Sequence, residues 1–490
     1  MNFPILSSIL IFPTLGVLLI LFCKPEQKTA IRVISLISTG ITLLLSIYLM
    51  IAYNRQIGGY QFVEFIPWIP QWGINYILAV DGLSIPLVFL NAIAIFTGVL
   101  ASWHIEDRTK EFYALLIFLA TGVFGVFMTQ DLFFFAIFYE VAVLPMYLLI
   151  AIWGSGKNRE YAAFKLTLML FFGSAFVMGG ILYLYKVAGL NTFNLMELKK
   201  LAQFPTEVQK ILFLLFFIGF GSIVPSFPMH TWSPEGHACA PTAVSMLHAG
   251  VLMKLGGYGL LRIAIPLLPS GLQHWAVLMM ALSMCNIIYG AFTAIAQDDM
   301  KFMVGFSSVS HMGMVLFGIS TMTLTGLNGA AFQMFAHGLV TALYFSSIGV
   351  MYNKTHTRMI SELGGIANVM PRAAFFFAIA GMAGLGLPGF APFVAELMVF
   401  IAGVKKYPLF GIIAVISVVV TAFYIISCIQ RTYFGTTNPR WTGLTDATNF
   451  EVLPLVILVV ALFIFGMYPR IILDLMQMET KNIIAKLALM

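Results

Sequence analysis

The sequence predicts an all-α polytopic membrane protein with about fourteen transmembrane helices, and three observations carry that reading. Only 9% of its 490 residues are Asp, Glu, Lys or Arg and 60% are apolar, against roughly a quarter charged in soluble domains. Mean hydropathy is +0.96. The apolar residues also fall into runs of about 20, the length that crosses a bilayer as a helix. A soluble enzyme would carry far more surface charge, and a disordered or nucleic-acid-binding chain would be poorer in Leu, Ile and Phe. The net charge of +6 comes from basic residues scattered between apolar runs. That is the distribution of membrane-flank Lys and Arg, not of a patch built for an anionic partner.

In chain order, candidate spans 1 to 6 lie near residues 4–22, 31–51, 79–101, 111–129, 132–151 and 162–185. Spans 7 to 14 follow near 208–226, 241–261, 274–296, 302–321, 326–350, 373–403, 409–429 and 451–468. The first has no basic residue ahead of it and no small-residue cleavage signature behind it, so it reads as a retained span and not as a signal peptide. Connections are short, which leaves one helical bundle with a short tail after Pro469. A slight bias of basic residues leans toward both termini lying outside the cytoplasm.

Two spans are interrupted. Span 7 ends in GFGSIVPSFP (Gly219 to Pro228) and span 12 contains GLGLPGF (Gly384 to Phe390), clusters in which helical hydrogen bonds must fail. The breaks take roughly equivalent places in two halves, spans 4 to 8 and spans 9 to 13. Paired interruptions of this kind point to an inverted-repeat transporter with ion sites beside the breaks; the plain alternative is two unrelated proline kinks.

Charges inside spans are the functional candidates, because each costs about 3 kcal/mol on insertion scales unless partnered or hydrated. Glu140 lies far from both ends of span 5 and cannot snorkel. Lys254 sits near the middle of span 8, and Glu396 follows the break of span 12. Lys165 is nearer the start of span 6, where its ammonium can also reach headgroups. His248, His311 and His337 are embedded in spans 8, 10 and 11, while His230 and His237 stand between spans 7 and 8. Imidazoles titrate near neutrality, so a row of them on separate helices suits proton hand-off, although any one could be a neutral imidazole bonded to a carbonyl. No span holds two histidines for b-type haem. Cys23, Cys239, Cys285 and Cys428 are far apart, which argues against an iron-sulfur cluster, c-type haem or a disulfide framework.

The runs FYEVAVLPMYLLIAIWG (Phe138 to Gly154), VPSFPMHTWSPEGHACAPTAVSMLHAGVLMKLGGYGLLR (Val224 to Arg262), QDDMKFMVGFSSVSHMG (Gln297 to Gly313), FAHGL (Phe335 to Leu339), LPGFAPFVAE (Leu387 to Glu396) and LAVDGLSIPL (Leu78 to Leu87) resemble the subunit M class of NADH-quinone oxidoreductase, equivalent to mitochondrial subunit 4. The resemblance covers nearly the whole chain. It implies an antiporter-like subunit of the membrane arm of respiratory complex I, with N-terminal helices over residues 1–101, a first five-helix repeat over 102–265, an inverted repeat over 266–434, and a last helix and tail over 435–490.

By the same resemblance, Glu140, Lys165, Lys254, His311, His337 and Glu396 match the polar axis that carries protons between half-channels, with water expected to bridge Lys254 to Glu396. FMN, iron-sulfur clusters and quinone are expected in partner subunits, with no cofactor in this chain, and the partners are other membrane-arm subunits, including other antiporter-like ones, and lipid. A bacterial inner membrane is the implied location. The neighbouring class is the Mrp-type cation/proton antiporter; a third reading is a structural membrane subunit whose buried charges lock helices.

One departure stands out. The family's lysine on broken helix 7 immediately precedes the V-P-x-x-P-x-H run, and here that place is Ile223. Glu140 therefore lacks its usual counter-charge, and three outcomes follow: Lys165 or a histidine such as His230 takes the lysine's place, a neighbouring subunit provides the cation, or the subunit conducts protons with altered coupling or not at all.

Overall fold

In the computed structural model, which describes residues 3–488, thirteen helices are long and apolar enough to cross a membrane. They are spans 1 to 6 (Ile5–Phe22, Lys28–Ala52, Ser84–Ala101, Thr109–Met128, Leu132–Trp153, Arg159–Ala188), span 7 (Thr206–Ile223), span 8 (Thr242–Leu267), spans 9 to 11 (Pro269–Ile295, Met300–Ser320, Leu324–Thr355), span 13 (Pro408–Tyr433) and span 14 (Asn449–Met467). Predicted span 12 is two shorter helices, Pro371–Gly384 and Ala391–Lys406, divided at the Gly/Pro cluster. Span 7 stops at Ile223 and resumes as Trp232–Cys239 after its own proline run. Both interruptions fall where Gly and Pro dictated.

The helices sort by depth. The most hydrophobic stretches of spans 8 and 11 are wholly inside the bundle, whereas those of spans 2, 6 and 13 are only 33% buried. Polar groups carried by spans 8 and 11 are therefore screened from lipid, which is the condition for keeping charge at that depth.

Three features differ from the sequence reading. Residues ahead of span 3 form an antiparallel hairpin, β1 (Gln61–Ile69) and β2 (Ile74–Val80), with Phe65 opposite Ile77 and Gly73 turning the chain at φ +66°; span 3 starts at Ser84 instead of near 79. A continuous apolar run hid the period-2 pattern of the strands. Glu64 of β1 accepts from the backbone N–H groups of Leu6 (2.9 Å) and Ser7 (3.0 Å), placing a carboxylate at the positive end of span 1. The short tail after Pro469, for which the sequence reading gave no structure, is the helix Arg470–Ala488, with Ile472, Leu475, Met476 and Ile483 buried. Span 8 is not one regular helix: π-helical turns occur at His248–Leu252 and Leu260–Ala264.

Candidate functional site

Spans 8 and 11 touch at glycine. A Cβ at Gly338 would stand 2.6 Å from the carbonyl oxygen of Gly250, so only the missing side chain lets the backbones come this close. Lys254 follows the first π turn of span 8, and such a turn releases a carbonyl from the regular ladder. The Lys254 ammonium donates to the Ala249 oxygen so freed and, across the contact, to His337 Nδ1 at 2.9 Å.

From His337 the polar row continues across spans 10 and 12. The rings of His337 and His311 have centroids 5.3 Å apart, and His311 Nδ1 lies 3.2 Å from Glu396 Oε1. The Gln333 amide nitrogen donates to the same carboxylate oxygen at 3.4 Å. Glu396 stands at the broken helix, where Gly386 has φ +69° and a Cβ would approach Glu396 Oε2 to 2.6 Å. Glycine is required there twice over, for the backbone conformation and for the space. Lys254, His337, His311 and Glu396 are all under 6% exposed. The residues expected between Lys254 and Glu396 are brought together, in the order His337 then His311, but two of the three links are direct contacts and not the water bridges the sequence suggested.

A second row runs the other way from span 8. His248 and His237 have ring centroids 4.0 Å apart, and His237 Nε2 lies 3.1 Å from Ser233 Oγ on the second half of span 7. The buried imidazoles thus extend from one broken helix toward the other, with Lys254 between the two rows. His230 stands apart: it is 3% exposed and stacks on Phe227.

Glu140 does not join the axis. It shares a cavity of about 200 Å³ with Ser174 and Met178 of span 6, on spans whose apolar stretches are only 50% and 33% buried. No ion pair reaches it among the described residues. Lys165, considered as its counter-charge, instead pairs with Glu235 at 2.9 Å. Glu235 belongs to the second half of span 7, and Ile223, at the family's lysine position, is 1% exposed and packed in the core.

Sequence reasoning missed several buried charges. Arg262 stands one residue past the span read near 241–261, yet it is 2% exposed and forms a bidentate ion pair with fully buried Asp81, with Nη1 and Nη2 each 2.5 Å from a carboxylate oxygen. The signal was available, since the apolar run continues through Leu268 and so places Arg262 inside the span. Lys301, one residue ahead of the span read near 302–321, is 4% exposed and donates to the Ala240 carbonyl at 2.6 Å. That oxygen closes the helix Trp232–Cys239, where a cation suits the negative end of the dipole. The four cysteines are free, and no cluster of three metal-ligating side chains occurs among the described residues.

Comparison with known proteins places this geometry. A family model described as NADH:quinone oxidoreductase/Mrp antiporter, transmembrane region, matches residues 129–421. NADH-quinone oxidoreductase subunit M of Rickettsia bellii is 34% identical over 99% of each chain. NAD(P)H-quinone oxidoreductase chain 4 1 of Picosynechococcus sp. is 37% identical over 99% of this chain and 93% of its own length. A chain of respiratory complex I from Thermus thermophilus superposes with a TM-score of 0.89 at 27% identity, covering 98% of this chain and 99% of that one. An integral membrane bundle, two broken helices and a buried Lys–His–His–Glu row, joined to full-length similarity of this extent, make this chain a member of the NADH:quinone oxidoreductase/Mrp antiporter family of transmembrane subunits.

Proposed function

We propose that the chain is a proton-translocating membrane-arm subunit of a complex I-type NADH:quinone oxidoreductase, in a bacterial inner membrane beside other antiporter-like subunits. Redox chemistry belongs to partner subunits, which would hold the FMN, iron-sulfur clusters and quinone. The observation that carries this reading is the row Lys254–His337–His311–Glu396, buried in the most enclosed helices. It is a chain of groups that can each hold or release a proton at hydrogen-bonding range, interrupted once by a 5.3 Å ring separation that a small side-chain movement or one water closes.

Two inverted five-helix repeats over 102–265 and 266–434 fit the local capping. Asp131 caps span 5 by accepting from Phe133 and Phe134 N–H, and Asp299 caps span 10 by accepting from Lys301 and Phe302 N–H. Each of these acids also forms an isolated bridge to a later loop residue, Asn194 and Met359 respectively. Equivalent spans thus carry equivalent caps.

In the first half, the pair Lys165–Glu235 serves where the family's lysine has become Ile223. It connects span 6 to the second half of broken span 7, which also carries His237, so its making and breaking would move charge toward the His237–His248 row. Glu140, half-buried on the flank of spans 5 and 6, takes its counter-charge from an adjoining subunit. Isolating the complex through this chain tests the proposal. Co-purified redox subunits and quinone-reduction-driven proton uptake into proteoliposomes are expected; redox-independent Na+/H+ exchange by the isolated assembly would assign it to the antiporter class instead.

A further inference from the structure

At the hairpin end of the bundle lies a cavity of about 650 Å³ whose polar lining includes Tyr60, Lys199, Lys200, Arg262, Glu479 and Lys486. Its walls are the ends of elements: the residue before span 3, the last turn of span 8, the short helix Leu195–Leu201 between spans 6 and 7, and the C-terminal helix Arg470–Ala488. Such a place is at the depth of lipid headgroups, where basic pockets between helices receive phosphates. The volume lies within the roughly 300–1,000 Å³ of small-ligand sites.

The charge balance is uneven. Arg262 is neutralised by Asp81. Lys199 donates to the Tyr60 hydroxyl at 2.8 Å, and Lys486 donates to the carbonyls of Lys199 at 3.0 Å and Pro266 at 3.4 Å, all neutral acceptors. Among the described residues no carboxylate forms an ion pair with Lys199, Lys200 or Lys486. Glu479 is the single acid in the lining. Beside the cations stand Val63, Leu83, Leu261 and Ile483, an apolar wall that a free anion would not need.

We propose that this cavity binds an anionic phospholipid, its phosphodiester held by Lys200 and Lys486 with Lys199 behind them, and its acyl chains leaving over the apolar wall. A zwitterionic lipid fits less well, because its ammonium needs a carboxylate. Burial and the neighbouring Asp81 push the Glu479 carboxyl up, toward the neutral form. Burial, then the Arg262 guanidinium, pushes the Lys199 ammonium down to about 7, against the opposing pull of Asp81 and Glu479; Tyr60 and Lys486 complete its surroundings. A bound phosphate favours the charged ammonium, so binding strengthens as pH falls through about 7.

The test uses the intact complex, delipidated in mild detergent and then given phosphatidylglycerol, phosphatidylethanolamine or inorganic phosphate, with bound molecules counted by native mass spectrometry. Wild type should retain one more phosphatidylglycerol than the Lys200→Ala/Lys486→Ala variant, whose affinity at this site should be at least tenfold weaker. Lys200→Arg should restore binding, and retention should be greater at pH 6 than at pH 8. Equal retention by wild type and variant, equal binding of phosphatidylethanolamine, or displacement of the lipid by inorganic phosphate would each overturn the proposal. Unchanged subunit composition of the variant shows that loss of lipid is not loss of assembly.

Discussion

Asp81 and Arg262 form the most enclosed ion pair among the described residues, with side chains 0% and 2% exposed, and the structure predicts that its two halves are unequal. Breaking a buried pair leaves an uncompensated charge and costs about 3–5 kcal/mol, whereas replacing both partners with apolar residues is often close to neutral. In Arg262→Leu the orphaned carboxylate keeps three donors on Oδ1: the N–H of Leu83 at 3.0 Å, and the N–H and hydroxyl of Ser84 at 3.1 and 3.0 Å. Its cost should lie near the lower figure, about 3 kcal/mol. In Asp81→Leu the guanidinium keeps only hydroxyl partners, those of Tyr258, Tyr60 and Ser84. A full positive charge facing neutral acceptors should cost about 5 kcal/mol. The double variant should be more stable than either single one. The assay is the temperature at which half of this subunit is lost from the assembled complex. The order wild type, double variant, Arg262→Leu, Asp81→Leu is expected from most to least stable. A double variant less stable than both singles, or singles indistinguishable from wild type, would refute the reasoning.

Other substitutions probe the axis and its surroundings. Glu235→Gln and Lys165→Ala should each slow proton uptake severalfold, and the double variant should be little worse than either alone, because both remove one pair; strictly additive losses would show that the two residues act separately. Ile223→Lys places a second cation in the core beside the first-half row and should change the protons moved per electron pair; an unchanged yield with an assembled complex would mean that the first half does not conduct. Gly338→Ala forces spans 8 and 11 apart, since the new methyl meets the Gly250 oxygen at 2.6 Å, and should slow pumping by lengthening the Lys254–His337 bond while leaving the subunit assembled. Wild-type pumping by this variant would show that the contact does not set the geometry of the relay.

Much of this architecture is legible in the sequence because the bilayer enforces it. Apolar runs of fixed length give the spans, and Gly/Pro clusters give the breaks at Gly219 to Pro228 and Gly384 to Phe390. The rarity of charge inside such runs singles out Lys254 and Glu396, which the fold then brings into one row. What stayed hidden depends on which side chains meet. Lys165 is equally compatible in sequence with Glu140, with headgroups and with Glu235; only the path of the chain after the span 7 break selects Glu235. Arg262 and Lys301 look like membrane flanks because each stands near a span end, and their burial comes from packing by the hairpin side and by the Trp232–Cys239 helix. The hairpin itself merges with the apolar start of span 3, so its alternation is masked.

The central claim is that protons pass along Lys254, His337, His311 and Glu396, and the most direct test removes the terminal carboxylate without changing its shape. In Glu396→Gln the amide can still hydrogen-bond to His311 and Gln333 but cannot take up and release a proton at that oxygen. Proton uptake into proteoliposomes driven by quinone reduction, measured against the electron-transfer rate of the same fully assembled complex, should fall about a hundredfold or more, within the range of about 10²–10⁴ that a positioned acid or base contributes. Proton uptake at the wild-type rate and with the wild-type yield per electron pair would contradict the account.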